Sequence, residues 1–283
     1  MFERHLGGTI FFVRPARWFA VLVLAMAGAV ACGSGASAAS AGTIRDAAEK
    51  TLASGSAAFE MRVVVEGSEQ IPSGEITATG AASYAEPRLM HGTFDFGDIA
   101  VGTIEMIVEE DFAYMRGEAF ARLAGDDATW LRVDLTSTDA TAQQLQDLVS
   151  GQNDAAVLLY YLFGADGDVE PLGTETIGGV EATGYGVTLD LDAALERVPA
   201  EAREALGLNL DEFTDGGIEH VLQAEVWIDD EGFVRRLVLV YALGEAVGGG
   251  EIRVTTDLSA FGEPVDVEIP SNDEVVSLED VAP

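Results

Sequence analysis

The sequence between residues 220 and 243 reads HVLQAEVWIDDEGFVRRLVLVYAL. Two stretches rich in apolar residues, 220–229 and 233–243, flank the acidic turn Asp229-Asp230-Glu231-Gly232. Strand-forming runs joined by a short turn that contains glycine are typical of a β-hairpin. This stretch therefore predicts two antiparallel neighbouring strands in a protein built on a sheet.

The same kind of pattern continues outward from the hairpin. In residues 59–66, Phe59, Met61 and Val63 face one way, and the intervening polar side chains face the other. This period of two is typical of a half-buried strand, and residues 75–84 repeat it. Short links between sequential strands favour antiparallel pairing. Further strands are predicted at 90–97, 101–109, 112–117, 130–134, 172–178, 181–190, 251–261 and 265–269.

Helical periodicity interrupts the strands in four places. Helices are predicted at 43–55 (with Thr43 as the N-cap), 141–150, 155–163 and 191–206, the last interrupted by Pro199. Residues 155–163, AAVLLYYLF, are apolar on all sides but too short to span a bilayer. Such a segment must be buried or must line something apolar. The combined pattern predicts an α+β fold: a large curved antiparallel sheet with helices on one face.

The first residues have the features of an export signal. Arg4, Arg14 and Arg17 precede the apolar run WFAVLVLAMAGAV at 18–30, and Ala29-Val30-Ala31-Cys32 follows. The last four residues resemble the lipobox of bacterial lipoproteins, which implies that Cys32 carries a diacylglycerol and becomes the mature N-terminus. Two alternatives stay open: an uncleaved membrane anchor, or an ordinary signal peptide cut near Ala39. Lipidation would fix the protein to the outer face of the cell membrane.

These segments divide the chain into four parts. Residues 1–31 are predicted as a lipoprotein signal peptide and 32–42, rich in Gly, Ala and Ser, as a flexible tether. Residues 43–276 form the predicted folded domain, and 277–283 an acidic tail.

The charge and the cysteine content exclude several classes of function. Asp and Glu number 49 and Lys and Arg 15, giving a formal charge of −34. Binding to nucleic acid needs a basic face, so nucleic acid is not an expected partner. The acidity also argues against electrostatic adhesion to anionic lipid headgroups. With a single cysteine, the chain has neither an intramolecular disulfide nor a cysteine-based metal cluster.

Three stretches resemble a known family. They are GTETIGGVEATGYGVTLDLDAAL (173–195), AEVWIDDEGFVRRLVL (224–239) and DLSAFGEPVDVEIPSNDEVV (257–276). Together with the lipobox, they resemble the actinobacterial lipoproteins of the LppX/LprG type, which are related to the LolA and LolB carriers. The resemblance implies a half-barrel sheet with helices over its concave face, an apolar cavity that holds lipid or glycolipid acyl chains, and no enzymatic activity.

The residues of such a cavity can be named. Small residues on the predicted strand 75–84 would leave space under the helices, and apolar helices would wall that space. The alternative is that the same residues pack against one another as a solid core. The predicted wall consists of Met61, Val63, Ile76, Ala78, Leu145, Leu148, Val149, Val157, Leu158, Tyr161 and Leu162.

Catalytic and metal-binding patterns are missing from the sequence. His91 and His220 are the only histidines after Cys32, and neither has a partner at metal-ligand spacing. Residues 166–170, DGDVE, resemble the start of a calcium loop but lack its later glycine and glutamate. We therefore predict no enzymatic activity, no metal and no cofactor. Trp130 and Trp227 are predicted to pack in the fold, whereas Tyr160 and Tyr161 are equally suited to packing and to ligand contact.

Three functional hypotheses result. The first is a membrane-anchored lipoprotein that binds acyl-chained lipids or glycolipids and carries or presents them. The second is an envelope interaction or sensor module with a filled core and a protein partner, which an exposed apolar patch would favour. The third, an envelope hydrolase, is disfavoured by the residue inventory.

Overall fold

A computed structural model describes residues 39–66, 73–84, 88–97, 102–118, 120–121, 129–139, 155–205, 220–243 and 249–281. They belong to one compact unit, Ala38–Pro283. Its strands are β1 (Ser56–Glu66), β2 (Gly74–Ser83), β3 (Leu89–Asp95), β4 (Thr103–Glu109), β5 (Phe112–Gly117), β6 (Trp130–Asp134), β7 (Ala165–Ile177), β8 (Val180–Asp190), β9 (Val221–Asp229), β10 (Val234–Ala242), β11 (Glu251–Ser259) and β12 (Val275–Ser277). Its helices are α1 (Ala41–Ala53), α2 (Ala155–Tyr161), α3 (Leu191–Arg197), α4 (Ala200–Ala205) and α5 (Leu278–Val281), and a 3₁₀ turn (Leu162–Gly164) follows α2.

The strands form one open, curved sheet in the order β12-β6-β5-β4-β3-β2-β1-β11-β10-β9-β8-β7. Every neighbouring pair is antiparallel except β12 and β6. The sheet is thus two meanders, β1–β6 and β7–β11, joined where β1 pairs with β11. This architecture confirms the predicted α+β class, and the predicted hairpin is β9 and β10.

One face of the sheet, here called the inner face, is largely apolar. It is the face of Phe59, Met61 and Val63 in β1. Met61 is in register with Ala78 of β2 on one side and with Thr256 of β11 on the other, so these side chains also lie on the inner face. The first cluster is the core between this face and the two helices α1 and α2.

Two further clusters cover β4, β5 and β6. The second cluster lies on the inner face, where Met115 and Leu131 pack with Leu278 of α5. The third cluster lies on the opposite, outer face and contains Ile107, Tyr114 and Trp130. This end of the sheet is therefore covered on both sides.

Three details differ from the predictions. Ser40, not Thr43, is the N-cap of α1: its side chain accepts from the Thr43 backbone amide in a capping box. Residues 265–269 do not form a strand, because this segment crosses the outer face and packs Val267 and Ile269 against the third cluster. The short strand β12, parallel to β6, was not predicted.

Other predictions lie on residues outside those described. They are the helix at 141–150, the signal peptide at 1–31 and most of the tether. The limits proposed for the tether and the acidic tail stay predictions; α1 begins at Ala41, and Leu278, within the predicted tail, is buried.

Candidate functional site

Eight of the eleven predicted wall residues lie together in the first cluster. β1 and β2 contribute Met61, Val63, Ile76 and Ala78; α2 and the turn after it contribute Val157, Leu158, Tyr161 and Leu162. All are buried except Ile76, which is partly buried and packs against the cluster. Leu145, Leu148 and Val149 lie outside the described residues. The structure thus places the eight described residues in one cluster, while their role as cavity walls and their contact with a ligand stay predictions.

Cross-strand register, rather than sequence proximity, assembles the sheet side of this cluster. One row runs across seven strands: Tyr185, Val226, Leu237, Thr256, Met61, Ala78 and Phe94. The row beside it holds Val187, Ala224, Leu239, Val254, Val63 and Ile76. The two rows form a continuous surface that is apolar except for Thr256.

The small residues of β2 and β3 do not leave an open space at every position. A Cβ atom at Gly80 would lie 2.8 Å from Cζ of Phe59, and one at Gly92 would lie 3.3 Å from the same atom. The ring of Phe59 therefore occupies the space above both glycines. The expectation that small residues create room under the helices is wrong at this point, where the alternative of a packed core holds.

Helix α1 is held across the inner face at both of its ends. Near its start, Nη1 of Arg45 donates to the carbonyl oxygen of Ala165 at 2.6 Å. Near its end, Oγ1 of Thr51 accepts from the backbone amide of Val234 at 2.9 Å and donates to the Ala47 carbonyl at 2.8 Å. The helix therefore bridges β7 and the β9–β10 hairpin and closes the first cluster from above.

A salt bridge locks the hairpin end of this cluster. Oδ2 of Asp229 accepts from Nε of Arg235 at 2.6 Å, and its Oδ1 accepts from the Phe233 amide at 2.9 Å. The Asp229 side chain is 0% exposed. Lys50 of α1 donates to the Glu231 carbonyl and lies 4.5 Å from the Phe233 ring centroid. The end of α1 is thus attached to the turn that the sequence predicted.

Two buried hydroxyl groups are the polar features that sequence reasoning missed. The hydroxyl of Tyr241 and Oγ1 of Thr256 are both buried without a hydrogen-bond partner in the described structure. Burial, together with the neighbouring Tyr161, raises the pKa of Tyr241 well above its usual value. The sequence signal for Thr256 was the alternation of β11, because Thr256 stands at an inward position between Val254 and Leu258.

The two histidines occupy separate places. Nε2 of His91 lies 3.0 Å from Oε1 of Glu105 on the outer face, and Nδ1 of His220 lies 3.2 Å from Oδ2 of Asp192. Five strand spacings of about 4.8 Å separate β3 from β9, or about 24 Å in total. The two imidazoles therefore contact different carboxylates and do not share a centre.

No group of three or more His, Cys, Asp or Glu side chains could hold a metal ion within the part of the chain that the structure describes. Asp166, Asp168 and Glu170 of the calcium-like stretch are exposed on β7. The absence of enzymatic activity remains a prediction.

The aromatic residues singled out from the sequence take different positions. Trp130 is in the third cluster, with the Arg116 guanidinium 4.5 Å from its ring centroid. Trp227 packs on the outer face against Gly184. Tyr161 is buried in the first cluster, and Tyr160 makes an edge-to-face contact with Phe163. Packing therefore accounts for both tryptophans, and Tyr161 is the tyrosine placed at the candidate site.

No helix within the described ranges has the length and apolar character needed to cross a membrane.

Comparisons with known proteins find similarity among solved structures. No protein-family model matches the chain, and no curated protein sequence does. The lipoprotein LppX of Mycobacterium tuberculosis matches at 21% identity and a TM-score of 0.45, over 81% of this chain and 97% of its own. LprF of Mycobacterium bovis matches at 16% identity and a TM-score of 0.47, over 82% and 97%. A LolA superfamily protein of Nitrosomonas europaea matches at 10% identity and a TM-score of 0.28, over 82% and 96%. These are the kinds of protein that the three sequence stretches resemble.

Proposed function

We propose that this protein is a lipoprotein of the cell envelope that binds an acyl-chained lipid or glycolipid between its sheet and its helices, and carries or presents it. The observation that carries the proposal is the first cluster: a continuous apolar layer shared by the inner face, α1 and α2. Among the described residues, the one buried charged side chain is that of Asp229, which is paired with Arg235 at the hairpin end of the cluster. A layer of this composition suits hydrocarbon rather than a polar substrate.

Apolar burial supplies enough free energy for such binding. Each buried CH₂ contributes about 0.8 kcal/mol, so a chain of sixteen carbons contributes roughly 12 kcal/mol when fully buried. Association costs on the order of 4–15 kcal/mol in lost freedom. One buried chain therefore offsets most of that cost, and two exceed it.

The anchor would keep the domain close to its source of lipid. Eight residues, 33–40, separate Cys32 from the start of α1. At about 3.4 Å per extended residue they reach roughly 27 Å. A diacylated Cys32 would therefore hold the domain within one protein diameter of the bilayer, on the outer face of the cell membrane.

The first test asks whether lipid occupies the layer between sheet and helices. The protein is purified from its own host, and native mass spectrometry reads the mass of the intact complex before and after organic extraction. We expect a discrete lipid at near one per chain. A lipid-free mass, with no uptake from added phospholipid vesicles, would contradict the proposal.

Two alanines of β2 provide a matched pair for locating the lipid. Ala78 faces the first cluster, whereas Ala81, in register with Ala58 and His91, faces the other side of the sheet. Ala78→Phe should reduce the bound lipid several-fold, because the ring occupies volume in the apolar layer, and Ala81→Phe should leave it unchanged. Circular dichroism establishes that both variants are folded. Equal lipid content in the two folded variants would place the lipid elsewhere.

A separate experiment tests the anchor. Cys32→Ser removes the acylated sulfur, so the protein should either leave the membrane fraction for the soluble fraction or accumulate with its signal peptide uncleaved. Metabolic labelling with a palmitate analogue should mark the wild-type chain and not the variant. Labelling of the variant would contradict lipidation at Cys32.

The second candidate, an interaction module with a filled core, is favoured by one observation. The Phe59 ring already fills the space above Gly80 and Gly92. A lipid-free protein that captures a defined envelope protein through an exposed surface would support this candidate.

A further inference from the structure

The hydroxyl of Tyr241 stands out in the first cluster. Tyr241 is 2% exposed, and its hydroxyl has no hydrogen-bond partner in the described part of the protein. A hydroxyl transferred from water to an apolar interior is normally paired, because an unpaired one loses its bonds to water without replacement. This group therefore calls for a partner that the described residues do not supply.

Thr51, in the same core, has a buried hydroxyl whose hydrogen bonds are satisfied within the protein. Its Oγ1 both donates, to the Ala47 carbonyl, and accepts, from the Val234 amide. This threonine is 0% exposed, so it is as deeply buried as Tyr241. The unpaired state of Tyr241 is thus not a general property of hydroxyls in this cluster.

The position of Tyr241 is that of the proposed ligand layer. It lies on the inner face of β10, in register with Ile252 of β11. Tyr161 of α2, one of the predicted wall residues, is buried in the same cluster. The Tyr241 side chain therefore lies where the sheet meets the helix, among apolar groups that suit hydrocarbon.

We infer that the Tyr241 hydroxyl donates a hydrogen bond to the carbonyl oxygen of an ester-linked acyl chain held in the first cluster. A hydrocarbon chain alone offers no acceptor, and an ether-linked chain lacks the carbonyl oxygen. The inference rests on the proposed function and specifies its ligand class as acyl esters, whether acylglycerols or phospholipids. The phenol remains a donor at every pH of interest because it stays protonated.

A competition between matched lipids tests the inference. The purified full chain is incubated with equimolar dipalmitoylglycerol and dihexadecylglycerol in detergent micelles, and in a second arm with the ester and ether forms of phosphatidylglycerol. Native mass spectrometry reads the ratio of bound ester to bound ether. One neutral hydrogen bond corresponds to about a 5- to 10-fold preference for the ester. The arm that shows the higher occupancy tells acylglycerol from phospholipid.

Tyr241→Phe removes only the oxygen. It should abolish the ester preference and leave binding of the ether lipid unchanged. Tyr114→Phe is the matched control: it removes the same oxygen from a buried tyrosine of the third cluster, on the outer face of the sheet. This control should retain the preference.

The outcomes distinguish a failure of the proposed lipid binding from a failure of the inference about Tyr241. If neither ester nor ether lipid binds, the proposed function itself fails. If both bind without preference, or if Tyr241→Phe keeps the preference, the inference about Tyr241 is overturned while lipid binding stands. Thermal unfolding of the lipid-free protein gives a further check, because loss of an unpaired hydroxyl should not lower its Tm. A clear drop in Tm would show that the hydroxyl already has a partner in the protein and would overturn the inference.

Discussion

The two ends of the sheet are built on different principles. At the β4–β6 end, the second cluster fills the inner face and the third cluster fills the outer face. At the β7–β11 end, the helices cover the inner face, and the outer face carries charge: Arg236 donates to Asp257 at 2.5 and 2.7 Å and to Glu175 at 2.7 Å. The difference indicates that the β4–β6 end stabilises the fold, because it is covered on both faces. The second end has a helix layer and two buried hydroxyls, those of Tyr241 and Thr256, without a hydrogen-bond partner among the described residues, and it is there that we propose the ligand binds.

The largest expected effect comes from the closed end. Leu131 is 0% exposed and packs in the second cluster on a strand enclosed on both faces, so Leu131→Ala leaves a cavity that its neighbours fill poorly. We expect a loss of about 2–5 kcal/mol in the free energy of unfolding, measured by urea denaturation. The control is Leu172→Ala on the exposed edge strand β7, where the side chain is 45% exposed and the loss should stay under about 0.5 kcal/mol. Similar losses of unfolding free energy for both variants would contradict the view that the β4–β6 end stabilises the fold.

The next effect concerns the lock at the hairpin. Asp229→Ala leaves the Arg235 guanidinium and the Phe233 amide without their acceptor in a largely buried place, and we expect a loss of about 3 kcal/mol. Asp229→Asn keeps an oxygen toward the Phe233 amide and should lose less. If the two variants unfolded at the same urea concentration, the hydrogen bond to Phe233 would contribute nothing.

A smaller effect is expected where α1 joins β10. Thr51→Val removes the acceptor for the Val234 amide, and the expected loss is about 1–2 kcal/mol. Thr51→Ser retains the hydroxyl and should recover most of it. Hydrogen exchange at the Val234 amide provides a local readout: it should accelerate in the valine variant alone. Unchanged exchange there would show that α1 is held by other contacts.

The smallest effect is a pH dependence on the outer face of β4 and β5. Burial alone would raise the pKa of Glu105, but hydrogen bonds from Arg116 and His91 outweigh it and leave that pKa below its usual value. A carboxylate whose pKa is lower in the folded state stabilises the fold above its unfolded pKa of about 4.3, and that contribution is lost as the pH falls through the folded value. The difference in unfolding free energy between wild type and Glu105→Gln should therefore shrink from pH 7 toward pH 3. A difference that stays constant over this range would contradict the assignment.

Alternation predicted most strands because the sequence of a half-buried strand shows by itself which of its side chains are buried. Period-two alternation places Phe59, Met61 and Val63 on one side in any sheet, whatever the partner strand. The same reasoning failed at 265–269, where alternating residues pack on the third cluster without pairing. Alternation shows which side chains are covered, and it does not show whether a strand or another segment covers them.

The sequence by itself determined the α+β class, the antiparallel meander, the hairpin at 220–243, the apolar helix at 155–163 and which residues of the proposed walls are buried, because these follow from the order of polar and apolar residues along the chain. Only the tertiary structure decided which of those walls meet. It brought Phe59 over Gly80 and Gly92, paired Thr51 with a β10 amide 183 residues away, and buried the Tyr241 hydroxyl without a hydrogen-bond partner among the described residues. The physical reason is that cross-strand register and helix placement depend on contacts between residues distant in sequence, and these contacts determine which buried polar groups are paired.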